Sequence, residues 1–394
     1  VYKRQSLGTL TSDQVALLTT QQISLLSGAD EHPLFGYKQI AGLKTEQVSW
    51  LSDAQVGALD PSAISAFSSS QFSTLSSSQV GGLIGDQILQ LSSVQISALS
   101  TASFIGFETE DLALLDDTRA AMFSSSQVGV LSSGQLSAIA TAAIAGLSTR
   151  VVRSLTSEQV AWLVSDQVSA LLSGQIASLT TASLMGLEVE DMAGFSSSQA
   201  AALSSSQAEA LSASQFAGMS SSGIGGISSN VFGGLRSELI AALTTDQVAS
   251  LSDVQVGALR SASLRGFETE DLWLLGSAQL RLLTSSAVQG LGTDQIVAIN
   301  SSALVGLSSV AFAAFGSEQV GALSEAQISA LTSIQVRVIS TAGMLGFSSE
   351  DFAVFGSAQM AGFQTAQVSL LSSNQLGGLT SDALSRLSSV QVAW

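Results

Sequence analysis

The sequence predicts an all-α solenoid built from very short capped helices. Three observations predict it: a strict period of eight residues, capping chemistry inside each period, and a second period of five and ten octads. Steps of eight from Gln39 to Gln391 pass through 45 positions, and 26 of them are Gln. The next residue is apolar throughout, from Ile40 through Val48 and Val56 to Val392, with Ala120, Ala200 and Ala208 as the smallest. Four residues after the Gln position runs a second column, whose 44 members from Leu43 to Leu387 are all Leu, Ile, Phe or Met. The repeating word is Leu, Ser/Thr, Ser/Thr, any, Gln, Val/Ile, any, small.

Each part of that word has a backbone consequence. A strand needs apolar residues at even spacing, but here the two columns lie five and then three residues apart. One unbroken helix fails too, because eight residues advance it by about 80° beyond two turns, so the apolar residues would spiral round its surface. Hydroxyl pairs at every eighth position would also compete with helical hydrogen bonds. A chain of helices of about six residues satisfies the pattern. With Ser76 as N-cap, Gln79 falls at N3 and completes a Ser-x-x-Gln capping box. Leu75 and Val80 then take the positions of a hydrophobic staple. Small residues such as Gly82, Ala98 and Gly106 allow the tight exit into the next cap. A helix this short buries too little to offset the entropy of ordering it, so the octads must stack on one another.

The second period comes from an octad without Gln: TASFIGF, TAAIAGL, TASLMGL, SSGIGGI, SASLRGF, SSALVGL and TAGMLGF, starting at Thr101 and returning at every fifth octad to Thr341. Gly106, Gly146, Gly186, Gly226, Gly266, Gly306 and Gly346 form one column, expected at a closely packed corner. The octad after it alternates, being acidic at Asp111, Asp191, Asp271 and Asp351, so the full unit is ten octads. A coil of five helices per turn would place equivalent octads over one another; a flatter coil of two per turn is the rival.

Composition sets the outer limits. Hydrophobic residues make up 46% of the 394, enough for a packed core, whereas charged residues are only 11% and give a net charge of −17. That sign disfavours phosphate backbones and anionic lipid, so neither nucleic acid nor a membrane surface is expected as a partner. No apolar run approaches the ~18 residues of a membrane span. Cysteine is absent, which excludes disulfides and thiolate sites. The opening VYKRQ (residues 1–5) resembles a translated sequencing adapter on a metagenomic fragment and is set apart from the fold. Residues 6–38 hold two octads, at Gln14 and Gln22, and a loop around SGADEHPLFG that breaks the phase. Residues 39–394 are expected to form one continuous octad solenoid.

Catalytic chemistry finds little footing. His32 is the only His and sits in the phase-breaking loop, so neither a conventional zinc site nor a His-based triad can form. GxGxxG, GxxxxGK, GxSxG and HExxH are all missing. The many Ser residues fall at N-caps, where the hydroxyl already has a backbone partner, and this explains the Ser/Thr ladder better than an array for ice or glycan. The same capping box accounts for Gln without invoking amyloid zippers. Trp50, Trp162, Trp273 and Trp394 share no phase and read as gap fillers. The acidic octads are the remaining candidates: Glu108, Glu110 and Asp111; Glu188, Glu190 and Asp191; Glu268, Glu270 and Asp271; then Glu350 and Asp351. Carboxylates in a first helical turn complement the helix dipole. Their functional alternative is a Ca²⁺ site, or docking of a basic partner, although no EF-hand spacing is present.

Octads of the form L-[ST]-[ST]-x-Q-[VI]-x-[AG] resemble those of long, acidic, Cys-free, low-complexity bacterial proteins of the secreted or surface adhesin-like kind. The resemblance covers residues 39–394. It implies a non-catalytic stalk or scaffold segment of a larger extracellular or cell-surface protein, without cofactor, and leaves room for end-to-end or lateral self-association. The alternative is a binding module that uses the acidic column for Ca²⁺ or a basic partner.

Overall fold

The computed structural model describes residues 9–26 and 34–392. Residues 1–5, His32 and Trp394 lie outside the described residues, as does most of the phase-breaking loop. Among the described residues the chain forms 46 α-helices, one for nearly every octad, and no strand. The helices are four to six residues long, as in Ser69–Phe72, Ser77–Gly81 and Ser93–Ala98. Where Pro61 opens the octad the turn tightens into the 3₁₀ helix Pro61–Ala66. None of these helices is long and apolar enough to cross a membrane.

The octad Leu75–Gly82 shows why each helix starts and stops. Ser76 is extended (φ −80°, ψ 166°) and its Oγ accepts the Gln79 N–H at 3.2 Å. The Gln79 Oε1 reaches back to accept the Ser76 N–H at 2.8 Å. Val80 N–H donates to Ser76 C=O, and Leu83 N–H closes a tighter turn onto Val80 C=O. Leu83 then carries the chain into the next cap, so one word ends where the next begins. The two capping devices persist independently: at Ser100, Ser148 and Thr180 the hydroxyl caps without Gln. At Ile84, Val164 and Leu172 the N-cap hydroxyl is gone, yet Gln87, Gln167 and Gln175 still accept the N-cap N–H.

Contacts group the chain into two units, Val1–Gly194 and Phe195–Trp394. In the first, Ser77–Gly81 packs against Thr101–Phe104 and Asp117–Ala120 against Thr141–Gly146. In the second, Ser197–Ala201 packs against Ser221–Gly226 and Asp253–Gly257 against Ser277–Leu280. Every one of these pairs is three octads apart. Side chains reach further: Gln79 of the first unit and Gln255 of the second touch carbonyls 28 and 31 residues back, at the junction between the octads three and four before. Each unit is therefore a coil with between three and four octads per turn, laid like bricks over the joints of the course below.

This count corrects the expectation of five octads per turn and its rival of two. The cause lies in the core. One Leu and one Val per octad fill a narrow coil, whereas five edges would enclose a lumen they cannot fill, and protein interiors do not tolerate such a void. With between three and four octads per turn, five octads are not a whole number of turns. Successive Gly octads therefore do not stack, and Gly106 meets Ser77 instead, between three and four octads earlier.

Both apolar columns point inward, with Val80, Val256 and Phe312 fully buried and Leu75 only 3% exposed. Larger rings interlock where they replace Leu or Val, as Phe104 and Phe123 do at 5.0 Å and Phe355 and Phe363 at 5.2 Å. Burial comes from the following turn. Val15 and Ile23 in the first described turn are fully buried, whereas Leu376 and Leu384, in the same column of the last described turn, are 42% and 45% exposed. Stacking, not the single helix, supplies the stability. Deleting one whole octad should accordingly leave far-ultraviolet circular dichroism per residue unchanged, because the Gln and Leu columns keep their phase. Deleting half an octad should lower the helical signal and the melting temperature. Equal damage from the two deletions would show that eight is not the structural unit.

Candidate functional site

The repeated polar group is the Gln column, and its geometry exceeds a capping box. Its Oε1 accepts the N-cap N–H, while its Nε2 donates to the preceding turn. Gln87, fully buried, donates to Val56 C=O and Leu59 C=O, both at 2.9 Å. Gln327 does the same to Ile296 and Ile299 at 2.7 and 2.6 Å. The Leu-column carbonyl that it reaches belongs to the residue leading into a cap, which has no intrahelical donor of its own. One side chain thus starts a helix and ties it to the turn below.

The Ser and Arg exceptions to Gln keep the second task. Ser103, Ser183 and Ser263 donate through Oγ to Leu75, Leu155 and Leu235, again 28 residues back, at 2.5 to 2.6 Å. Arg119 donates from Nε to Leu91 C=O at 2.6 Å. Where the column holds the apolar Leu239, Arg236 at the N-cap supplies the donor to Leu211 C=O at 2.8 Å. Capping alone would accept Glu as readily as Gln. Glu occurs at none of the 45 positions, because a carboxylate would turn its charge on two carbonyl oxygens. That missing Glu was the signal in the sequence for the inter-turn bond.

The acidic octads are the one substitution by an acceptor. Asp111, Asp191 and Asp271 are buried at the Gln position, with Asp351 less so. Asp111 accepts the Glu108 N–H at 3.1 Å and Asp191 the Glu188 N–H at 2.9 Å. Burial pushes the carboxyls of Asp111 and Asp271 above the usual carboxylate range, against the backbone hydrogen bonds from Glu108 and Glu268 that pull them down. Glu110 moves the other way, lowered by the Thr109 hydroxyl, which donates to it at 2.8 Å. Glu270 and Glu350 are lowered first by a backbone hydrogen bond and next by the hydroxyls of Thr269 and Ser349. All these carboxylates lie in first helical turns, where the dipole favours them. Among the described residues no three His, Asp or Glu side chains come together as a group that could hold a metal ion. Nor is any buried side-chain polar atom among them left without a partner.

Residues 264–301 and 296–333 are similar to the ALTTAQ repeat, a family of repeated segments. The two matched stretches begin four octads apart, in keeping with the period described above. No curated protein matches the chain.

Proposed function

We propose that the chain is a non-catalytic structural repeat, a stalk or scaffold segment of a larger extracellular or cell-surface bacterial protein. One observation carries this reading. The N-cap hydroxyl and the Gln amide of the octad are spent on caps and on bonds between turns, and its recurring apolar residues fill the core. What the repeat encodes is its own propagation: more octads make more turns. An enzyme needs the opposite, convergent groups kept free of structural duty.

Absence of cysteine suits export, and a surface rich in Ser and Thr is compatible with an exposed location. The test uses intact cells that make the full-length protein with an epitope tag in this segment. Protease added outside should remove the tag before lysis. An in-phase deletion of ten octads should be displayed and cleaved in the same way. A tag accessible only after lysis would overturn the surface location.

A further inference from the structure

At the Gln position Gln, Ser and Arg tie a turn to the preceding one by a donor, apolar members such as Ala143 and Val151 do not, and Asp is the one polar replacement that has no proton to give when ionised. We infer that Asp111 and Asp271, one in each unit, are acid-operated ties: protonated, they donate to Leu83 and Leu243 carbonyls; ionised, they leave those carbonyls without a donor. The seat is within reach, since the shorter Ser103 and Ser263 bridge to the equivalent carbonyls at 2.5 Å. Among the described residues no side chain donates to Leu83 or Leu243 C=O.

The surroundings favour the proton. Asp111 shares its helix with Glu108 and Glu110 and packs against Gly85–Ile88, which brings Asp86, and Ser133–Ala138, which brings no titratable group. Asp271 has Glu268 and Glu270 on its own helix, Asp246 on Thr245–Ala249 and Asp294 on Thr293–Ala298. No base faces either carboxyl from these helices. Asp191 is hydrogen-bonded differently. There Ser165, 26 residues back, donates its hydroxyl to Oδ1 at 2.8 Å. The residue at that place for Asp111 is Gly85, which has no hydroxyl, and Thr245 makes no such bond to Asp271.

The sign follows from burial raising both carboxyls. Their contribution to stability is fully present in acid and is lost as pH rises through the raised folded value. The experiment compares the melting temperatures of the whole chain and of D111N/D271N between about pH 7 and about pH 4. The amide donates at every pH, so the variant should melt several degrees higher at neutral pH and lose that advantage in acid. A constant difference would overturn the inference. Carbon-13 carboxyl titration of the unaltered protein gives an independent reading. Asp111 and Asp271 should titrate above the usual carboxylate range, and G85S should bring Asp111 down. Titration of Asp111 and Asp271 within the usual carboxylate range would overturn the inference as well.

Discussion

Gln87→Glu is expected to destabilise the protein by about 3–5 kcal/mol near neutral pH, the cost of an uncompensated buried charge. The new carboxylate keeps one task, since an oxygen can still accept the Ile84 N–H that Gln87 Oε1 accepts at 2.9 Å. It loses the other, because it has no proton for Val56 and Leu59 and places charge beside their carbonyls. Its folded pKa must therefore rise above the unfolded value. The penalty stands in full above that raised value and disappears as pH falls below the ordinary Glu range. Gln87→Leu removes both tasks and leaves the Ile84 N–H and Leu59 C=O unpaired, so it should cost about 2–4 kcal/mol at every pH. Urea midpoints for the two variants at neutral and acidic pH check both statements. A Glu variant as stable as the parent at neutral pH would mean that the amide is only a cap.

Two adjacent glycines should respond in opposite directions to the same methyl group. A Cβ on Gly226 would sit 2.3 Å from the Ser197 carbonyl oxygen and 2.5 Å from the Ser197 Cα, both backbone atoms of the preceding turn. Only movement of that turn relieves the clash, and Gly226→Ala should cost about 2–3 kcal/mol, with Val worse. A Cβ on Gly225 meets nothing within 4 Å. Gly225→Ala should stabilise by about 0.5–1 kcal/mol, the helix propensity difference. No described glycine has positive φ, so space and not backbone conformation is what Gly226 provides. Chemical denaturation of the pair checks this, and equal effects would remove the close approach as the reason for the Gly column.

Local chemistry was readable because it is local. Ser76 and Gln79 are three residues apart, and their bonds depend on eight letters and on nothing distant. The same holds for the exit at Leu83 and for the acids in first helical turns. The acidic residues stand out in the sequence as a column at ten-octad spacing, but the sequence could not tell the exposed Glu110 from the buried Asp111 beside it. That difference depends on which one faces the turn below. The second role of Gln was missed because its acceptors lie 28 and 31 residues away, a separation that matches no multiple of eight.

What the sequence determined by itself is the all-α class, the octad as unit, the cap at its start and the identity of the two buried columns. Each follows from periodicity and from bonds within one word. Tertiary structure alone decided how many words make a turn, that Gln79 reaches Val48 and Leu51, and that Gly106 meets Ser77. The physical reason is closure. The turn is as wide as its Leu and Val side chains can fill, and the half-octad stagger is set by where an amide finds carbonyls that no helix has used.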